Sequence, residues 1–347
     1  MRSAALFVLL ALRLAAQPVP PTWDTLCYQK FRSNLIIGIF QSYRNFDNEF
    51  QQYMVRDTAG VSHHNYSAES KLITGVDLTY DKFSIALGLR STPQEGSGNR
   101  GKTKTFNTHL RFGGNKWLIE NTIRHFKGFY DLNTSRYDTT FHSSGKYFYQ
   151  PSFINTLVRT KFLYFTNHKR FSIRSGFSCN YRQVKSAVSW VLSANINHNS
   201  MRNDSSFFPV ASRDLYRDHG GMSGLNVLGI SVNGGAAGTL VLWRAFFIQV
   251  MFIVGPEQQW RKYFYGDRQK SLSYISLSGD LRGSIGLNFK RWYLFSFSSN
   301  DFALYNSSFV GLENRSVSGG LTIGFRLNSR TPAFYRKFQK TRLYQSI

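Results

Sequence analysis

The sequence predicts an all-β protein: a transmembrane antiparallel up-and-down β-barrel of about twelve strands, with ten to fourteen compatible. Long segments alternate apolar and polar residues with period two, as strands do when one face meets lipid and the other an enclosed interior. Five short turns, each with a basic residue and followed by a large ring, join such segments, while most other connections are longer. Short turns at one end and longer loops at the other are typical of outer-membrane barrels.

The segment 275–289 shows the alternation at its longest. Leu277 and Leu281 lie on one face, and Ser276 and Asp280 lie on the other. Strands of soluble sandwiches run to about five or six residues, whereas a strand that crosses a membrane needs about nine to eleven. The length therefore favours a membrane barrel over a soluble sandwich.

The chain begins with the pattern of an export signal. A basic start at Met1-Arg2 and a short apolar run precede Ala15-Ala16-Gln17, which predicts cleavage near Ala16 or Gln17. No other stretch approaches 18 apolar residues, so membrane-spanning helices are not expected. The predicted divisions are a signal peptide (1–17), an N-terminal periplasmic segment (18–32), the barrel (33–328) and a basic C-terminal tail (329–347).

The strand count leaves one segment open. Thirteen candidate strands emerge where twelve are favoured, and the surplus falls in 170–198. One possibility is that the candidates at 170–182 and 185–198 are one long, bulged strand broken near Tyr181–Lys185. The other possibility is a further strand hidden in 199–224. Longer loops are expected at 46–66, 92–101, 128–151, 199–224 and 259–270.

The net charge of +24 indicates an anionic partner. The basic residues are scattered through alternating strands, and no nucleic-acid module is recognisable, so we expect no nucleic-acid partner. Lipopolysaccharide phosphates outside the barrel or small anionic solutes inside it fit better. Only Cys27 and Cys179 are present, too few for a dense disulfide scaffold or a cysteine metal site. One disulfide is possible, and unpaired packing of the two thiols is favoured. No cofactor is expected.

Charged residues on the polar faces are expected to line the lumen, because a charge facing lipid costs about 2–4 kcal/mol near the midplane. The basic set exceeds the acidic set by nine to three. The predicted basic residues are Lys71, Arg90, Arg111, Arg124, Arg159, Lys161, Arg174, Arg282 and Arg326. The predicted acidic residues are Asp77, Glu120 and Asp280. The rings after the short turns are expected at the membrane interface, namely Phe83, Trp117, Phe171, Phe246 and Trp292.

Three functions remain open on these residues. A basic lumen favours a porin-like pore for small anionic solutes. The same side chains could instead form a hydrogen-bonded network in a closed structural or lipopolysaccharide-contacting barrel. A lipid-modifying enzyme would need a nucleophile beside a base, and only Ser84 and His109 suggest such a pair. We expect no enzymatic activity, no catalytic residue and no metal site.

Several short segments carry a resemblance to a known family: Gly101-Lys102-Thr103-Lys104, Asn115-Lys116-Trp117-Leu118-Ile119-Glu120, Lys127-Gly128-Phe129-Tyr130, Lys169-Arg170-Phe171-Ser172 and Gln183-Val184-Lys185-Ser186-Ala187-Val188-Ser189-Trp190. Their order and spacing over 30–328 resemble an uncharacterised bacterial family, domain of unknown function 4421. The resemblance implies a barrel in the outer membrane of a Gram-negative bacterium, with outer-membrane lipids and the barrel-insertion machinery as partners. It implies no activity, cofactor or site residue. One departure is the tail: the chain continues beyond the last predicted strand to Ile347, rather than ending on an aromatic strand residue.

Overall fold

A computed structural model describes residues 23–52, 61–68, 72–90, 99–304, 310–342 and 344. The strands in this part of the chain are β1 (Tyr28–Lys30), β2 (Asn34–Gln52), β3 (His63–Ser67), β4 (Ile73–Tyr80), β5 (Phe83–Arg90), β6 (Lys104–Gly113), β7 (Trp117–Asp131), β8 (Tyr149–Phe165), β9 (Tyr181–Gln183), β10 (Ala187–Arg202), β11 (Gly224–Leu242), β12 (Phe246–Tyr265), β13 (Arg268–Asn288), β14 (Trp292–Leu304) and β15 (Val310–Asn328). The α-helices are α1 (Phe141–Ser144), α2 (Arg174–Phe177), α3 (Val210–Arg213) and α4 (Ala333–Gln339).

Twelve of these strands form one closed antiparallel barrel. Each barrel strand pairs with the next along the chain, and β15 closes the sheet on β2 in a register from Asn328↔Asn34 to Val310↔Gln52. The remaining strands are short. β3 pairs with the parts of β2 and β7 that extend beyond the shorter strands β4–β6. β1 pairs with β9 and is not part of the barrel wall. The prediction of a twelve-stranded up-and-down barrel is confirmed.

The outer and inner faces have the polarity of a membrane protein. On β10, Trp190 is 71% exposed, whereas the inward Asn195 and Asn197 are buried. The neighbouring strand β11 likewise exposes Ile230 and Val232. Apolar side chains therefore cover the outside of the wall and polar side chains the inside, which is the reverse of a soluble sandwich and suits a transmembrane barrel.

Polar side chains on the outer wall satisfy one another across strands. The Thr160 hydroxyl donates to Asn121 Oδ1 at 2.8 Å, and His125 Nδ1 lies 2.8 Å from Thr156 Oγ1. These pairs join β7 to β8, where the residues concerned stand directly opposite each other. Pairing limits the cost of placing polar atoms next to lipid.

Short turns such as 81–82 and 289–291 lie at one end of the barrel, which we call the turn end; the opposite end, the loop end, has the longer connections together with the tight turn at 266–267. Trp243 and Arg244, in the three-residue connection 243–245, both have positive φ, and turns with positive φ match the twist of the strands that they join. Both termini of the wall also lie at the turn end, because the Asn34 amide donates to Asn328 Oδ1 at 3.0 Å. The described helices contain no segment long and apolar enough to cross a bilayer.

Three sequence-based assignments are wrong. Residues 46–66 were predicted as a loop, but β2 continues to Gln52 and pairs with β3 (His63–Ser67). Residues 170–182 were predicted as a wall strand, but 166–186 leave the wall and turn into the lumen, carrying α2 and β9. Residues 259–270 were predicted as a loop, but β12 and β13 continue to a tight turn at Gly266-Asp267. Local alternation in these segments shows which face of the chain is apolar. It does not show whether the segment has a neighbouring strand to pair with.

Candidate functional site

The middle of the lumen contains a network of ion pairs. Arg282 Nη2 lies 2.7 Å from Glu120 and 2.6 Å from Asp280. Lys161 Nζ also contacts Asp280, and it lies 3.5 Å from Asp301. The two walls that supply these groups, β7–β8 and β13–β14, are thereby joined across the barrel.

Asp301 is the centre of the cationic part of this network. Arg159 Nη1 and Arg124 Nη2 lie 3.0 and 3.2 Å from its carboxylate. Asp280 stands directly opposite Asp301 on the neighbouring strand. Like charges in such a cross-strand pair repel, and Lys161 offsets the repulsion because its ammonium reaches both carboxylates.

A cavity of about 140 Å³ lies beside the network. Arg111, Arg124, Arg159, His109 and Asp77 line it, together with rings such as Phe297. The space is small compared with the drug-sized ligand pockets of about 300–1,000 Å³. It is a small space between the side chains of the network and rings of the wall.

The turn end is filled by the inturned segment 166–186, which we call the plug. Arg326 Nε on β15 donates to the Cys179 carbonyl at 3.0 Å, and its Nη2 donates to Asn288 Oδ1 at 2.6 Å. Gln249 on β12 donates to the Ser172 carbonyl at 3.0 Å. Backbone carbonyls of the plug are thus satisfied by side chains of the wall, as a buried irregular segment requires.

Apolar contacts also hold the plug. Phe171 and Ile173 pack with Leu163 and Val191 of the wall in one buried cluster. The N-terminal strand β1 covers the plug by pairing with β9. Burial lowers the pKa of Lys30, at the end of β1, to about 7, which reflects how closely this end is packed.

The C-terminal tail packs against a turn of the wall. The Tyr335 and Tyr344 hydroxyls both donate to Asp81 Oδ2, at 3.0 and 2.5 Å. Lys82 donates to the Tyr344 carbonyl and lies 3.7 Å from the centre of its ring. Burial lowers the pKa of Lys82 to about 8. The tail residues in contact therefore lie at the turn end and outside the lumen network.

The loop end is filled by an aromatic cap built on residues 199–224 and their neighbours. Phe208 and Tyr216 stack with ring centres 3.7 Å apart, and Phe50 lies 5.5 Å from Phe207. The Tyr216 hydroxyl donates to the Ser62 carbonyl at 2.5 Å. The buried members of the cap are Phe46, Phe50, Tyr66, Ala68, Phe126, Phe129, Phe153, Met201, Phe207, Phe208, Tyr216, Met222, Leu225, Val227, Tyr263 and Leu312.

A hydrogen-bonded Ser–His–Asp arrangement lies beside the rings of this cap, because the His64 ring packs against Phe208 and Tyr216. His64 Nδ1 is 2.6 Å from Asp131 Oδ2, and His64 Nε2 is 2.8 Å from Ser212 Oγ. Tyr137 donates to the same carboxylate at 3.0 Å, and burial, with the charge of Asp131, raises the pKa of Tyr137. The connectivity is that of a nucleophilic triad, yet all three residues are fully buried.

Sequence reasoning missed this triad because its members lie far apart in the chain and Ser212 follows no strand. His64 was visible only as one of two adjacent histidines. The pair that was considered, Ser84 and His109, is offset in the strand register, since Ser84 stands opposite Arg111 and His109 opposite Ala86. The Ser84 hydroxyl contacts Thr79.

The predicted lumen residues separate into groups. Arg111, Arg124, Arg159, Lys161, Arg282, Glu120 and Asp280 meet in the network, since Arg111 Nε lies 3.4 Å from Glu120. Asp77 lines the cavity. Arg174 and Arg326 secure the plug instead, and Arg174 does so from a helix. Lys71 and the side chain of Arg90 lie outside the described residues.

Asp301 was missed although it receives three cations. Its strand carries Tyr293, Phe295 and Phe297 on the inward face, so that the apolar stripe points to the lumen and hides the inward direction of Asp301. The sequence still indicated the direction of Asp301, because it is an even number of residues from these rings and therefore lies on the same face of the strand.

Four of the five predicted interface rings lie on the outer wall or half-buried at its turn end. Phe83, Trp117 and Trp292 are exposed, and Phe246 is half-buried against Trp243. The prediction for Phe171 is wrong, because the plug carries this ring into the lumen, where it is fully buried. Cys27 and Cys179 are unpaired thiols. Among the described residues, no group of three or more His, Cys, Asp or Glu side chains could hold a metal ion.

A family model described as "Domain of unknown function (DUF4421)" matches residues 22–327. The chain belongs to this family. The matched residues include nearly all of the twelve-stranded wall of this protein. No curated protein matches the sequence.

The solved structures that align with this chain include outer-membrane barrels. The outer membrane protease OmpT from Escherichia coli is 7% identical, with a TM-score of 0.40, covering 86% of this chain and 98% of that one. The translocator domain of autotransporter NalP from Neisseria meningitidis is 10% identical, with a TM-score of 0.29 and coverage of 93% and 96%. The P. putida toluene transporter TodX is 6% identical, with a TM-score of 0.24 and coverage of 86% and 90%.

Proposed function

We propose that this protein is a closed, non-conducting barrel of the bacterial outer membrane, whose role is carried by its surface and not by solute passage. The observation that carries the proposal is the filling of the lumen at three levels: the plug, the ion-pair network and the aromatic cap. Each level joins opposite parts of the wall through buried contacts. An open pore needs a continuous polar path instead.

The charges of the network support closure more than anion selectivity. The cations Arg111, Arg124, Arg159, Lys161 and Arg282 face the carboxylates of Asp77, Glu120, Asp280 and Asp301. Such a nearly balanced set attracts anions weakly, because each cation is already paired. A selective anion pore would carry an excess of cations along a hydrated path.

A pore for small anionic solutes is the second candidate, and the cavity lined by Arg111, Arg124 and Arg159 favours it. Passage would require the plug to leave the turn end and the cap to open at the loop end. We therefore propose that the resting barrel does not conduct, and that an open pore would require both of these rearrangements.

Planar-bilayer recordings test the proposal. We expect the purified full-length protein to give no steady conductance, because side chains fill the lumen. A matched variant in which 170–183 is replaced by a Gly-Ser linker of equal length should show more frequent openings. Steady, anion-preferring conductance by the unmodified protein would overturn closure and favour the pore.

We propose no catalytic role. Ser212, His64 and Asp131 have the connectivity of a triad, but Ser212 is fully buried and the His64 ring packs against Phe208 and Tyr216. The proposal assigns these groups to holding α3 against β3 and β7. Buried polar groups that satisfy one another in this way fix one arrangement of a cap.

A further inference from the structure

Three lysines stand together on the outer wall at the loop end. Lys104 on β6 and Lys127 on β7 are directly opposite in the strand register, and Lys102 lies two residues before Lys104. All three are exposed, and none takes part in an ion pair among the described residues. Like charges directly opposite each other destabilise a strand pair, so this arrangement gains stability from an anion between them. We call Lys102, Lys104 and Lys127 the lysine patch.

The backbone beneath the patch is held in an unusual conformation. Gly101 and Gly128 both have positive φ, of 79° and 87°. A β-bulge at Gly128 shifts the register of β7 between Lys127 and Phe129. A Cβ atom on Gly128 would come within 2.4 Å of the Lys102 carbonyl oxygen. The two segments therefore approach each other closely, which only glycine allows here.

Hydrogen bonds fix the two segments to each other. The Thr103 hydroxyl donates to the Gly128 carbonyl at 2.8 Å, and the Tyr149 hydroxyl donates to the Lys102 carbonyl at 2.5 Å. The segments 101–104 and 127–130 are two of those on which the family resemblance rests. These two segments meet at the lysine patch, and neither contributes a residue to the lumen network.

The depth of the patch matches a lipid headgroup. The outward residues of β7 run from Trp117 at the turn end to Lys127 at the loop end. Ten residues at about 3.3 Å each, tilted by about 40°, span about 25 Å, which equals the height of the apolar band of an outer-membrane barrel. Phe106, two residues beyond Lys104, is exposed on the same wall. The lysines therefore lie where the apolar band ends, and an acyl chain could cover Phe106 below them.

We propose that the lysine patch binds a phosphate group of lipopolysaccharide in the outer leaflet. Lysine is a point-charge phosphate ligand, and three neighbouring exposed lysines with an apolar surface below them fit the phosphorylated, acylated end of this lipid. The inference rests on the proposed outer-membrane placement. It does not depend on whether the lumen conducts, so the bilayer recordings and the lipid measurement fail independently.

Native mass spectrometry of the full-length protein with added lipid A tests the site. We expect the double variant K104Q/K127Q to bind bis-phosphorylated lipid A at least about tenfold more weakly, because each lysine near an anionic surface contributes to binding. Lipid A without phosphates should bind the unmodified protein about as weakly. The variant K104R/K127R should retain binding, which separates charge from folding.

The matched control is K262Q/K270Q, which removes two exposed cations from the hairpin of β12 and β13 at the same end. This control should bind lipid A as the unmodified protein does. Equal losses in both double variants would mean that net charge alone governs binding, and would overturn the site. Unchanged binding by K104Q/K127Q would overturn it as well, as would full displacement of lipid A by millimolar inorganic phosphate.

Discussion

Arg326, on the last strand of the wall, donates through Nε to the carbonyl of Cys179, in the plug, at 3.0 Å. The same guanidinium lies 4.1 Å from the ring of Phe31, in the segment before the first wall strand. One side chain therefore joins the plug, the N-terminal segment and the closing strand. Closure of the barrel wall and filling of its turn end are linked through this arginine.

The first prediction concerns that link. Replacing Arg326 by Gln removes the donors to the Cys179 carbonyl and leaves a buried carbonyl without them, so the plug should open more often. In a C27S background, Cys179 is the remaining thiol and is fully buried. We expect a thiol reagent to modify Cys179 at least about tenfold faster in R326Q, which corresponds to about 1.4 kcal/mol in the opening equilibrium.

The control for this experiment is R291Q in the same background, because Arg291 is exposed at the turn end. Its labelling rate should equal that of the C27S protein. If R326Q were labelled no faster than R291Q, the plug would not depend on Arg326.

The second prediction concerns the carboxylate at the centre of the network. Asp301→Asn leaves Arg124, Arg159 and Lys161 without their shared counter-charge in the lumen. Removing one partner from buried ion pairs costs about 3–5 kcal/mol. We expect a loss of about that size in the free energy of unfolding, measured by urea denaturation in lipid vesicles with tryptophan fluorescence.

Ser299→Ala is the matched control, since Ser299 lines the same cavity from the same strand without a charge. It should change the free energy of unfolding by less than about 1 kcal/mol. Similar losses for D301N and S299A would show that the network contributes little.

The third prediction concerns the buried triad. Because Ser212 is fully buried, a fluorophosphonate that reacts with activated serines should not modify it in the folded protein. His64→Ala should instead lower the free energy of unfolding by about 2–3 kcal/mol, because Asp131 and Ser212 lose a buried partner. Ser212→Ala removes one hydrogen bond and should cost about 1 kcal/mol.

Labelling of Ser212 in the folded protein, abolished by H64A, would contradict the structural role. It would mean that the cap opens and that the triad acts as a nucleophile. Peptide mass spectrometry of the labelled protein identifies the modified serine directly.

The fourth prediction concerns pH. Burial lowers the pKa of Lys82 to about 8, against about 10.4 in an unfolded chain. Below pH 8 both states bind the proton, and the cost of burying the ammonium is complete. Between about pH 8 and 10 the folded state releases the proton first, so the unfolded state binds more protons and stability rises with pH.

We therefore expect the free energy of unfolding to increase from pH 7 to pH 9.5 by more in the unmodified protein than in K82M. Urea denaturation of both proteins at both pH values measures the difference. An equal pH dependence in the two proteins would show that Lys82 is not the titrating group.

Sequence periodicity predicted the wall well because each wall strand contacts lipid on one side. Segments such as 83–90 and 275–289 carry that asymmetry in their own residues, so the fold class and twelve strands followed. The same rule failed at 170–182, where alternation came from a plug packed on all sides. It also hid Asp301, because the inward rings on β14 reverse the usual pattern.

Residue order and side-chain polarity by themselves determined the barrel, its turn end and the inward direction of most of its charges. Only the tertiary structure decided what those charges do. Lys161 and Asp280 are 119 positions apart in the chain, and which residues face each other across a lumen depends on closure and strand tilt, which no local pattern encodes. For the same reason the filled interior, the buried triad and the opposed lysines emerged only when distant strands were brought together.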